Sequence, residues 1–104
     1  MAIREILQEE LENSLRMERN YRRALERLPK GSLVRKRIRG REYCYLAKRV
    51  GDRVEFEYLG KLPPRLIEKY EQAKIDRAKY RELLAEVRAQ LKLLRKVLRG
   101  KQAI

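Results

Sequence analysis

The chain contains no histidine, no tryptophan, one cysteine and one phenylalanine among its 104 residues. Without histidine there is no imidazole base, no serine or cysteine triad of the usual kind and no histidine-ligated metal. A lone Cys44 makes no intrachain disulfide and no cysteine-built zinc site, and it points to a reducing, cytoplasmic setting. Aspartate occurs only as Asp52 and Asp76, so a clustered carboxylate site for two metals is not expected. Long apolar runs are missing as well. No stretch approaches the ~18 residues of a membrane span, and Met1 to Glu10 lacks the apolar segment of a signal peptide. The letters Lys30-Gly31-Ser32 stand in the wrong order for a phosphate loop, without its upstream glycine, and read as a helix stop. These absences predict a non-enzyme without cofactor or metal, neither exported nor inserted in a membrane.

What the chain has in excess is positive charge. Lys and Arg number 28 against 15 Asp and Glu, a net charge of +13, while apolar residues reach 43%. The charge bears on partners and the apolar fraction on folding. At this length, a single domain over residues 1–104 buries about two-thirds of the surface its unfolded chain exposes. That leaves little room for a catalytic cleft.

From Ile3 to Leu28 there is neither Gly nor Pro. Leu7, Leu11, Ser14, Met17, Tyr21, Ala24, Leu25 and Leu28 recur at spacings of three and four, which makes one stripe on a helix over 3–28. Its six Arg and six Glu cancel, so the polar face reads as a solvated, ion-paired surface. Pro29 disfavours helix at the preceding residue and Gly31 frees the backbone, so the helix stops there.

Between Gly31 and Gly60 the period becomes two, and β-branched and aromatic residues concentrate. Three strands are expected within a 33–59 meander: Leu33 to Ile38, Arg41 to Val50, and Arg53 to Leu59. Two-residue turns at Arg39-Gly40 and Gly51-Asp52 set the register. Ala47 then opposes Phe56, Tyr45 opposes both Tyr58 and Val34, and Ile38 opposes Arg41. Both turns give the same apolar face, made of Val34, Ile38, Tyr43, Tyr45, Ala47, Val54, Phe56 and Tyr58. Tyrosines can stack on unpaired bases, but sharing a face with aliphatic residues predicts that these rings form the buried side. On the other face, Arg37 opposes Glu42 and Lys48 opposes Glu55. Cys44 is expected there as a small, partly buried apolar residue. Unopposed charge gathers at the edge strand and turn, in Lys30, Arg35, Lys36, Arg37, Arg39 and Arg41. These six are the candidate nucleic-acid contacts, although edge charge also serves simply to deter aggregation.

Leu62-Pro63-Pro64 ends the sheet and opens a second helix over 64–99, with Gly100 as a natural stop. Leu66, Tyr70, Ala73, Arg77, Tyr80, Leu84, Val87, Leu91, Leu94 and Leu98 follow alternating spacings of four and three. That is a coiled-coil seam broken only by Arg77. The fold class is therefore α+β: two long amphipathic helices, an antiparallel coiled-coil-like hairpin, flanking a three-stranded antiparallel β-meander. At ~1.5 Å per residue the second helix is longer than the first by roughly 14 Å. The overhang is expected to leave Leu91, Leu94, Val97 and Leu98 without a partner, so that Leu84, Val87, Leu91, Leu94 and Leu98 form an interface for self-association or a protein partner. The segment from Lys92 to Lys101 is a basic amphipathic stretch suited to lie near phosphates rather than on a membrane.

The stretches Leu28-Pro29-Lys30-Gly31-Ser32-Leu33, Tyr43-Cys44-Tyr45-Leu46 and Phe56-Glu57-Tyr58-Leu59-Gly60-Lys61 resemble a group of short uncharacterised prokaryotic proteins with helix, three-stranded sheet and helix. That resemblance implies no particular activity. Arg41 to Lys61 also resembles the arm-binding region of tyrosine recombinases and segments of transposases, which implies DNA contact by a sheet. The catalytic half of those enzymes is absent, and Glu42, Glu55 and Glu57 depart from the expected charge.

Two functions follow from the residues. One is a basic accessory protein that binds DNA or RNA through the strand, turn and second helix. Residues 29–62 hold ten basic and four acidic side chains, and residues 63–104 hold twelve and five. The other is an interaction module, antitoxin-like or an adaptor, docking through its long C-terminal helix.

Overall fold

A computed structural model of the protein describes residues 2–100. In chain order it contains α1 (Ile3–Arg27), β1 (Ser32–Ile38), β2 (Arg41–Val50), β3 (Arg53–Gly60) and α2 (Pro64–Gly100). The fold is α+β, with two helices flanking an antiparallel sheet in the order β1-β2-β3. Local chemistry sets the boundaries. α1 begins where the Ala2 carbonyl accepts bonds from the amides of Glu5 and Ile6, and it ends one residue before Leu28-Pro29. α2 begins at Pro64, where the missing amide is harmless, and the Pro63 carbonyl accepts bonds from Leu66 and Ile67 at 3.0 and 3.2 Å. No helix among the described residues is long and apolar enough to cross a membrane.

Contacts divide the chain into two compact units, Met1–Arg27 with Ala78–Ile104, and Leu28–Arg77. In the helical unit α1 and the later part of α2 run antiparallel. Arg4 Nη1 donates to the Leu98 carbonyl at 3.4 Å, Gln90 Nε2 to Glu10 Oε1 at 3.1 Å, and Arg88 Nε to Glu18 Oε2 at 3.2 Å. The rings of Tyr21 and Tyr80 lie 6.2 Å apart. The Arg4 contact also serves one of the carbonyls that the end of α2 leaves without a helical partner.

This arrangement corrects one expectation. Leu84, Val87, Leu91, Leu94 and Leu98 are all buried and form the core of the helical unit together with Ser14. They are not an open stripe. The ends that meet are the start of α1 and the finish of α2, so the extra length of α2 lies at residues 64–77, which belong to the sheet unit. Val97 stays exposed, beside Leu93 on the outer side of α2. The part of the basic segment at Lys101 lies outside the described residues.

In the sheet unit the strands pair as the turns dictate. Tyr45 faces Val34 on one side and Tyr58 on the other, Ala47 faces Phe56, and Ile38 faces Arg41. The register shifts at one end, where Tyr45 faces Tyr58 but Cys44 faces Gly60, so Leu59 is an inserted bulge residue next to a glycine of φ 72°. The packed face of this sheet is not the one expected. Cys44 and Leu46 are 1% and 4% exposed, whereas on the opposite face Phe56 and Tyr58 are 62% and 58% exposed. Leu62 and Ile67 border Cys44 and Glu42 around a shallow hollow, which puts the opening of α2 on the Cys44 side. An alternating strand can bury either face, and here the shorter apolar set faces the helix.

Candidate nucleic-acid interface

The open face of the sheet can be built residue by residue from the register. Along β2 it carries Arg41, Tyr43, Tyr45, Ala47 and Arg49, because side chains two apart share a face. β1 adds Val34, Lys36 and Ile38, since Lys36 pairs with Tyr43. β3 adds Val54, Phe56 and Tyr58, through Arg49, Ala47 and Tyr45. The cations of this face are Lys36, Arg41 and Arg49, and among the described residues no Asp or Glu stands on it. The acids of the strands, Glu42, Glu55 and Glu57, pair in register with residues of the other face.

The rings form a connected group. Tyr45 and Tyr58 have centroids 5.2 Å apart at 52°, and Tyr43 and Tyr58 lie 6.4 Å apart at 37°. Tilted pairs of this kind suit the quadrupole of the rings. Lys36 Nζ sits 5.3 Å from the Tyr45 centroid, a cation–π contact that holds an ammonium over the tyrosine cluster. Ile38, Tyr43, Tyr45 and Tyr58 line a shallow concavity. Tyr43 and Tyr45 are half-buried, while Ile38, Val54, Phe56 and Tyr58 are exposed.

The six basic residues expected to act together are distributed differently. Lys36 and Arg41 belong to the open face. Arg39 occupies the β1–β2 turn with φ 51°, followed by Gly40 at φ 78°. Positive φ at both central residues is the type I′ pattern, normally filled by Asn or Gly rather than Arg. Lys30 is exposed in the bend after α1. Arg35 and Arg37 lie on the opposite face, paired in register with Cys44 and Glu42. Arg35 grips Glu42 with both ends of its fork, Nε to Oε1 at 3.0 Å and Nη2 to Oε2 at 3.2 Å. The hydrogen bond to Glu42 and its negative charge raise the Arg35 pKa above the ordinary arginine value, so this cation is engaged within the protein. Lys48 likewise pairs with Glu57 at 3.6 Å, a diagonal contact in place of the directly opposed Glu55.

Sequence reasoning missed Arg49 and the accessibility of Phe56 and Tyr58. A signal was present. All three strand glutamates share the face of Cys44 and Leu46, so the aromatic face carries cations alone.

No curated protein and no solved structure matches this chain. The family model described as "Domain of unknown function (DUF6788)" matches residues 2–69, spanning α1, the three strands and the opening of α2, and the chain belongs to that family.

Proposed function

We propose that the protein is a non-enzymatic nucleic-acid-binding accessory factor of the cytoplasm, and that the open face of its sheet is the contact surface. The observation that carries this reading is the composition of that face: Lys36, Arg41 and Arg49 among Tyr43, Tyr45, Phe56 and Tyr58, with the strand acids on the other side. Cations without an opposing carboxylate on their face displace the counterions condensed on nucleic-acid phosphates, and that release drives binding. A net charge of +13 adds long-range attraction for any polyanion. Cys44, buried as a free thiol, suits a reducing compartment.

The test is fluorescence anisotropy with a labelled oligonucleotide across a salt series. Affinity is expected to fall steeply with salt, by a slope of roughly 0.7 to 0.9 per phosphate engaged. Replacing Lys36, Arg41 and Arg49 together by Gln should flatten that slope and weaken binding. The pair Arg35→Gln and Arg37→Gln should change it much less. Equal losses from the two sets, or no binding at modest salt, would overturn the assignment.

A second reading, an interaction module, rests on a different feature. Ile3, Ile6, Leu93 and Val97 are exposed apolar residues of the helical unit. A protein partner or a second copy would meet Leu93 and Val97 on the outer side of the C-terminal helix and not the buried leucines. Co-purification of a protein lost on Leu93→Lys, without nucleic acid, would favour it.

A further inference from the structure

Resting on the nucleic-acid reading, we infer that the ligand is single-stranded, its bases stacked on Phe56 and Tyr58 and its phosphates held by Lys36, Arg41 and Arg49. The build of the face suits unpaired bases better than a duplex groove.

A surface meant only for duplex phosphates needs cations that reach outward, and the exposed ring of Phe56 gains nothing from a phosphate. Here the rings fill the middle of the face, with Phe56 and Tyr58 more than half exposed. Arg41 and Arg49 stand at its ends, and Lys36 lies on β1 beside the rings. On the open face β2 reads cation, ring, ring, small residue, cation from Arg41 to Arg49, a span of roughly 26 Å at ~3.3 Å per residue. That is the order expected for a strand whose bases lie on an aromatic platform while its backbone follows the basic flanks. Lys36, held over the Tyr45 ring, is positioned to meet the phosphate of a base stacked on the adjacent Tyr58.

The same charges argue against a second copy on this face. Two such faces brought together would juxtapose Lys36, Arg41 and Arg49 with their counterparts, and no carboxylate of the face would offset them. A polyanion with flat apolar bases complements both the charge and the rings.

The β1–β2 turn supplies an independent observation. Arg39 adopts φ 51°, a left-handed conformation that disfavours a side chain of its kind. Exposed in the turn next to Arg41, it adds a further cation at that end of the sheet.

The experiment uses the full chain with two fluorescein-labelled probes, an oligothymidine of about 12 nucleotides, within the ~4–16 nucleotide site sizes of sheet-based binders, and a hairpin duplex of similar length. The single strand is expected to bind at least tenfold more tightly at the same salt. Tyr58→Ala and Phe56→Ala should each weaken it by roughly 5- to 100-fold, in line with base–aromatic stacking, and leave duplex binding unchanged. Tyr58→Phe, which keeps the ring, should retain affinity. Because these positions are exposed, the variants should match the parent in thermal unfolding, which separates lost binding from lost fold. Equal affinity for the two probes, with ring variants indistinguishable from the parent, overturns stacking while leaving charge-driven binding in place. Binding to neither probe overturns both. A dimer abolished by Phe56→Ala would instead assign the face to a second copy and sink the inference.

Discussion

Arg77 donates a hydrogen bond from its Nη2 to the backbone carbonyl of Pro29. The two residues are separated by the whole sheet in sequence, and the bond ties the turn after α1 to α2 within the sheet unit. It explains the one charge in an otherwise apolar row. A leucine at 77 would complete the row but abandon a part-buried carbonyl.

Arg77→Leu is therefore expected to lower stability by about 1–3 kcal/mol despite its greater apolarity, because a part-buried acceptor loses a charged donor. Urea denaturation of parent and variant measures it. A more stable variant would mean the carbonyl is satisfied without the arginine.

Gly31 gives a sharper steric case. It has φ 93°, and a Cβ added there would lie 2.9 Å from Leu46 Cγ and 3.0 Å from the Ala47 carbonyl oxygen. Strained backbone and close contact act together, so Gly31→Ala should destabilise by at least ~1–3 kcal/mol. The strand of Leu46 cannot yield without moving a side chain that is 4% exposed. Thermal unfolding is the measurement, and an unchanged midpoint would contradict the crowding.

Ser14 is fully buried, and its Oγ has no hydrogen-bond partner among the described residues. A small side chain at this point of α1 lets the helices of the unit approach, while the hydroxyl itself adds little. Ser14→Ala should leave stability equal or higher by up to about 1 kcal/mol, since a desolvated hydroxyl is removed. Ser14→Leu should lower it by about 1–3 kcal/mol through overpacking. If Ala were the damaging change, the hydroxyl would be bonded after all, and chemical denaturation of the two variants decides.

Much of the fold could be read from spacing alone. Pro29 and Gly31 mark the end of α1, Pro64 starts α2, and the Arg39-Gly40 and Gly51-Asp52 turns carry the strand register through Tyr58. Spacing does not say which face of a sheet meets a helix. The aromatic face is the more apolar and suggests a core, yet Cys44 and Leu46 are the buried residues and the opening of α2 lies on the Cys44 side. Helix lengths alone do not reveal which ends align either, and so the row from Leu84 to Leu98, which α1 buries, reads from spacing as an open stripe. The candidate site was half legible for the same reason. Lys36, Arg39 and Arg41 could be picked by charge, but separating them from Arg35 needs the Glu42 pair and the face it lies on.

Arg39 offers a prediction in which stability and binding move in opposite directions. Its φ of 51° is a conformation that asparagine tolerates better than arginine, and Gly40 after it completes the turn that Asn-Gly prefers. Arg39→Asn should raise stability by about 0.5–1 kcal/mol, because the native backbone is then less strained. The same change removes a cation from the end of the open face, so affinity for an oligonucleotide should fall and its salt slope should shrink by about 1. Arg39→Lys separates the two effects: charge is kept, strain is kept, and both stability and binding should stay near the parent. An arginine without a binding role would give an Asn variant that is more stable and binds as before. An arginine important to the turn itself would give one that is less stable. Only a residue retained for its charge against the preference of its backbone yields gain in the melt and loss in the titration.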